Sequence, residues 1–229
     1  MCIINTTHGF VFVHIPKTAG TSVCQALAKH CGVLDIELGG TAFGEAIQTP
    51  YLRRHGLRKH STAQEIRERI GAERWASMSS FAVLRDPVER LASAYRFLKG
   101  WNSPLNTARE QMQALPTFSD FVASGQWEQC EGLDQLFLPQ AHWVLGADGE
   151  PLVQNLLHFT QLQTGLLWAL SKADATVNWQ ASIKHMGQLN ASKAEPIALS
   201  AALQGRLRHR YGADYQLLDK TPKGHQRSS

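Results

Sequence analysis

The chain has no apolar run near the roughly 18 residues that a membrane-spanning helix needs, so no transmembrane segment is expected. It has only four cysteines in 229 residues, Cys2, Cys24, Cys31 and Cys130, and no CxxC pair. That spacing argues against a disulfide framework and against a cysteine-built zinc site. No basic segment precedes the first apolar stretch, so a signal peptide is not expected and a reducing, cytoplasmic setting is the default. Charge of one sign is also scarce. Lys and Arg number 23 against 19 Asp and Glu, a formal net charge of +4. A small, scattered excess suits an anionic ligand and speaks against a nucleic-acid partner. Internal repeats and low-complexity tracts are absent.

What is present is enough apolar material, 43% of residues, to bury a core. The length suits one α/β domain over residues 1–229. Residues 9–14 and 80–84 are short apolar runs and read as buried strands. Residues 21–31 read as a helix, stopped by Gly32. Ser61 or Thr62 can cap the next helix, with Gln64 and Glu65 at capping-box spacing. Asp86 and Pro87 open another, whose inner face is Leu91, Ala94, Tyr95 and Leu98. Residues 100–116 read as a loop, and 117–125 and 131–138 as short helices. A small hairpin is expected around Asp148-Gly149, with helices over 155–172 and 197–218. The order predicts an α/β fold: a P-loop-like, mostly parallel sheet flanked by helices, with a helical C-terminal half.

Residues 11–22 read VFVHIPKTAGTS. A strand feeding a glycine turn and a helix N-terminus is an anion site, because backbone N–H groups and the helix dipole point at the ligand. Gly20 lacks the Cβ that would hold a phosphate away. Thr21 and Ser22 add hydroxyls, and Lys17 adds a full charge from inside the loop. The pattern GxxxxGK[ST] is absent. A plain helix cap with Lys17 in solvent remains an alternative for this stretch alone. The second motif, residues 81–97, reads FAVLRDPVERLASAYRF. Arg85 leaves a strand end, where a guanidinium can grip a phosphate with two parallel bonds. Ser93, two turns into the helix, can face the same anion. A pairing of Arg85 with a carboxylate is the alternative.

Taken together, HIPKTAGTS and VLRDPVERLASAY resemble the two nucleotide-binding signatures of the carbohydrate-type sulfotransferases, the family that includes heparan sulfate 2-O-sulfotransferase. Thinner resemblance runs through KHSTAQEIRERIG, LPQAHW, HMGQLNAS and RHRYGADYQLL. The missing anchor makes the chain look like a soluble, prokaryotic relative. The resemblance implies 3′-phosphoadenosine 5′-phosphosulfate (PAPS) as co-substrate and no metal. It implies that Lys17, Thr18, Ala19, Gly20, Thr21 and Ser22 hold the 5′-phosphosulfate and that Arg85 and Ser93 hold the 3′-phosphate. Asn190, Ser192 and Lys193 would contact the nucleotide from a closing loop.

The reaction so implied is in-line transfer of a sulfuryl group to an acceptor hydroxyl, on a glycan or glycolipid. Lys17 would stabilise the leaving oxygen, and His60 would be the general base with His55 in reserve. His14 would support the loop's backbone. Arg53, Arg54, Arg58 and Lys59 suit an anionic acceptor, and Gln140, Trp143 and Trp101 are candidates for its cleft. One departure stands out: Phe159-Thr160-Gln161-Leu162 lacks an acidic residue that family members often carry there. Two other readings stay open: a nucleotide-dependent phosphotransferase, and a non-catalytic nucleotide-binding module on the same fold.

Overall fold

The apolar runs at 10–13 and 79–84 are buried along their whole length, and they form the middle of the sheet. A computed structural model describes residues 2–103, 109–128, 134–184, 186 and 197–222. Its strands are β1 (Cys2–Asn5), β2 (Phe10–Val13), β3 (Ile36–Leu38), β4 (Ser79–Leu84) and β5 (Asn155–His158), in the spatial order β3-β1-β2-β4-β5. The core pairs, β2 with β4 and β4 with β5, are parallel. The pairs β1–β2 and β1–β3 are antiparallel. The sheet is therefore mixed, with the expected parallel core and an antiparallel margin.

Alternate side chains enter opposite cores, as the period of two in a strand requires. On one face, Ile4, Val11, Val13, Ala82 and Leu84 meet Ile66, Trp75, Trp143 and Leu217. Those four come from α4 (Ala63–Ile70), α5 (Ala72–Ser77), α9 (Ala141–Val144) and α13 (Gly212–Lys220). On the other face, Ile3, Phe10, Phe12, Phe81 and Val83 meet Val23 and Leu27 of α1 (Gly20–Leu27), Leu166 and Leu170 of α10 (Leu162–Ala173) and Trp179 of α11 (Trp179–Ile183). A third core lies to the side. There, Leu91, Tyr95 and Leu98 of α6 (Pro87–Gly100) pack with Phe121 of α8 (Phe118–Ser124), with Trp127, and with Leu207 of α12 (Ala201–Arg210). Tyr211, between α12 and α13, stacks on Trp127. Helices α2 (Ala42–Ala46), α3 (Gln48–His55) and α7 (Arg109–Gln113) complete the described α-helices. No described helix is long and apolar enough to cross a membrane.

Several expectations need correction. Residues 155–158 are strand β5, not the start of a helix, because they pair with Phe81–Leu84; a tertiary partner outweighs weak local preference. The strands β1 and β3 were not foreseen. The helix from residue 21 ends at Leu27 and tightens into a 3-10 turn, Ala28–His30, so Cys31 lies beyond it. The hairpin is reduced to one bridge, Leu145 with Pro151, since 141–144 is helical. The C-terminal helix is broken at Tyr211. Of the expected helix over 131–138, residues 131–133 lie outside the described residues and Asp134–Leu136 is a 3-10 turn.

Candidate functional site

The loops after β2, β4 and β5 leave the sheet at one edge, the carboxyl ends of its parallel strands. That is where open α/β sheets hold ligands. The first of these loops is the glycine turn. Lys17 (φ 69°) and Ala19 (φ 71°) are both left-handed without being glycine, which costs of order 1–3 kcal/mol each. Such strain, repeated on alternate residues, curls the backbone around a concave, anion-binding surface. The N-cap of α1 is Ala19, which has no side-chain acceptor, and its first turn has no acidic residue. Its positive end is left open to a negative ligand.

The individual side chains divide the work differently from the sequence expectation. Thr18 is fully buried and donates to the Ile15 carbonyl (2.9 Å), so its hydroxyl holds the loop together. Ser22 is buried, whereas Thr21 faces solvent. Gly20 is required by His14: a Cβ at Gly20 would fall 1.9 Å from the imidazole Nε2. The glycine therefore makes room for a buried ring, in addition to whatever closeness a phosphate needs.

His60 joins the loop from the start of α4. Its Nδ1 lies 3.2 Å from the His14 carbonyl oxygen, and the two rings are 4.6 Å apart. A carbonyl only accepts, so Nδ1 carries the proton and Nε2 keeps its lone pair. Burial holds the pKa of both His60 and His14 well below the usual imidazole range, and neighbouring positive charge lowers them further. Both are thus neutral near pH 7. The backbone around His60 is fixed from two sides. Trp143 Nε1 donates to the His60 carbonyl (3.1 Å), and Thr62 with Glu65 forms a full capping box two residues on. Of the two proposed caps, Thr62 is the one used. His55 sits at the end of α3 and accepts from Arg69 (2.6 Å). The basic cluster is partly paired, Arg58 with Glu65 and Lys59 with Glu45; Arg53 and Arg54 are exposed.

Arg85 closes the site from the end of β4. Its Nη1 donates to the Lys17 carbonyl (3.4 Å), its guanidinium lies 4.4 Å from the centre of the Phe159 ring, and its Nε meets Glu89 (3.5 Å). Lys17 Nζ rests 4.1 Å from the centre of the Phe97 ring. Burial, then the charges of Arg85 and Arg96, lower the Lys17 ammonium to about 8. Ser93 follows Glu89 by four residues on α6, hence on the same face, and forms no hydrogen bond with a described residue. Asp86 is committed to capping α6, accepting from Val88 and Glu89 (2.9 and 3.0 Å). Asn190, Ser192 and Lys193 lie outside the described residues. Thr160 meets His158 (2.7 Å) in the turn after β5.

Three functional residues escaped the sequence reading or were given other roles. Gln140 is buried, not a cleft residue. Its amide accepts from the Arg85 N–H (2.9 Å) and donates to the Arg85 carbonyl (2.8 Å). Asp214 holds Gln140 in turn, accepting from its backbone N–H (2.8 Å), its amide nitrogen (3.3 Å) and the Ala141 N–H (2.9 Å). Arg90, fully buried on α6, donates to the carbonyls of Pro16, Leu136 and Leu138 and so braces the glycine loop from behind. Its signal was available: position 90 falls beside Leu91 and Ala94 on the inward face of the helix. Trp143 is likewise fully buried, and Trp101 stacks on Phe97 (5.3 Å).

A curled glycine loop, two cations and a neutral histidine thus lie together at the carboxyl ends of the parallel strands of an α/β protein. The chain belongs to the sulfotransferase family, whose model matches residues 1–221. No curated protein and no solved structure matches it significantly. Membership supports sulfotransfer activity in general and implies a hydroxyl-bearing acceptor.

Proposed function

We propose that the protein transfers the sulfuryl group of PAPS to a hydroxyl of a carbohydrate acceptor. The observation that carries this reading is the contact between Arg85 and the Lys17 carbonyl (3.4 Å). It joins two anion grips that lie 68 residues apart in the chain, as a nucleotide with phosphates at both ends of its ribose requires. The residues present fit that ligand: an uncapped helix start, open hydroxyls on Thr21 and Ser93, and cations at Lys17 and Arg85.

In this reading the backbone of 18–22 orients the 5′ phosphosulfate. His60 Nε2 takes the acceptor's hydroxyl proton while the new S–O bond forms. Lys17 meets the charge that grows on the phosphate oxygen as the old S–O bond breaks. Lys17 sits inside the loop, where an ammonium reaches that oxygen directly. The Arg69 contact of His55 supports His60 as the base. Exposed Arg53 and Arg54 favour an acidic glycan.

Thermal unfolding with adenosine 3′,5′-bisphosphate, ATP and magnesium-ATP tests the donor. A ligand at 100 times its dissociation constant adds about 2.7 kcal/mol. The bisphosphate is expected to stabilise wild type and to do so much less in Arg85→Ala. Transfer of labelled sulfate from PAPS to acidic glycans should vanish in His60→Ala with nucleotide binding intact. Stabilisation by magnesium-ATP alone would refute the reading in favour of a phosphotransferase. Binding without transfer in wild type would point to a non-catalytic module.

A further inference from the structure

Arg96 lies near the end of the second motif, residues 81–97, where no role falls to it, yet it stands in the site. It follows Ser93 by three residues and Glu89 by seven, so all three share one face of α6. With Arg85, Asp86, Glu89 and Arg208 it lines a cleft of about 530 Å³, whose wall also includes Leu199 and Tyr215. The side chain is half-buried, and it forms no hydrogen bond or ion pair with a described residue. Its Nε is shut off from solvent with no partner among the described residues. Lys17 and Arg85 both feel its charge, which lowers the pKa of each. An unpaired guanidinium beside two other cations is unfavourable in the empty protein, and an incoming anion removes that cost.

Charge balance says which anion. A terminal phosphate carries about −1.5 to −2 at pH 7. Arg85 already shares its charge with Glu89 at 3.5 Å, and the lining charges of Asp86 and Arg208 are opposite in sign, so these four groups are together close to neutral as seen from the cleft. Ser93 brings no charge. We propose that Arg96 is the specificity-determining residue that supplies the excess positive charge for the phosphate on the ribose, and so sets the preference for a 3′-phosphorylated nucleotide over a plain 5′ nucleotide. This rests on the donor reading above.

The test is calorimetric titration of the full chain with adenosine 3′,5′-bisphosphate and, separately, adenosine 5′-monophosphate. Wild type should prefer the bisphosphate. Arg96→Gln should weaken the bisphosphate by about tenfold to hundredfold, the range for a lost bond to a charged group, and leave the monophosphate nearly unchanged. Arg96→Lys should recover part of the loss. Glu89→Gln, which frees the charge of Arg85, should tighten the bisphosphate alone, and it decides the matter if Arg96→Gln fails to fold. Equal loss for both nucleotides in Arg96→Gln, no loss, or weaker bisphosphate binding in Glu89→Gln would overturn the assignment. A wild type without preference is a separate result and would bring down the donor reading itself.

Discussion

Asp214 is 74 residues from Gln140 in the chain, yet it decides where Arg85 sits. Replacing it with Asn keeps the shape and changes one acceptor to a donor. The Oδ2 position receives two donors from Gln140, and the Oδ1 position receives the Ala141 N–H. The best Asn rotamer keeps its carbonyl toward Gln140 and turns its NH2 against the Ala141 N–H. One buried donor is then unsatisfied, which costs about 1–3 kcal/mol. For a chain of this length, 2 kcal/mol lowers Tm by about 4–8 °C. The buried Arg90 loses an anion that stabilises its charge, which adds to the cost. The assay is chemical and thermal unfolding of wild type, Asp214→Asn, Gln140→Ala and the double variant. Because Asp214 acts through Gln140, the double variant should lose less than the sum of the singles, with a coupling of about 0.5–3 kcal/mol. Gln140→Ala should also weaken adenosine 3′,5′-bisphosphate, since Arg85 loses the amide that pins its backbone. An Asp214→Asn protein that melts with wild type, or strict additivity, would refute the relay.

Gly20→Ala should destabilise by about 1–3 kcal/mol or more through the clash with His14, and His14→Ala in the same chain should recover most of that loss in denaturant titrations; no recovery would show that another contact of Gly20 matters. Lys17, with its ammonium at about 8 in the empty site, should have its pKa raised by a bound anion. Nucleotide affinity is then nearly flat between about pH 7 and pH 8, above the second phosphate ionisation near 6, and falls above pH 8, because binding favours the protonated ammonium. His14 and His60 are already neutral in that window, and a guanidinium does not titrate there. Calorimetry in two buffers of different ionisation enthalpy should detect proton uptake on binding at pH 8.5, and Lys17→Arg should abolish it; a pH dependence that persists in that variant would assign it elsewhere.

The local chemistry of the sequence was enough for much of this. The runs FVFV and FAVL are too apolar for anything but buried strands. Asp86-Pro87 and Thr62 with Glu65 announce helix starts by their capping chemistry, and the HIPKTAGTS stretch announces a turn between a strand and a helix. Each of these is settled by neighbours within a few residues, so the sequence by itself could carry it. Tertiary structure decided the rest. Residues 155–158 became a strand only because β4 offered an unpaired edge. Gly20 turned out to serve a ring six residues earlier. Arg90, Gln140 and Asp214 act on Lys17 and Arg85 across three separate segments. Arg96 became a candidate only once its side chain was seen without a counter-ion among the described residues. Hydrogen bonds and charge pairs between distant segments leave no spacing in the sequence, because the fold, not the chain order, sets the distance between them.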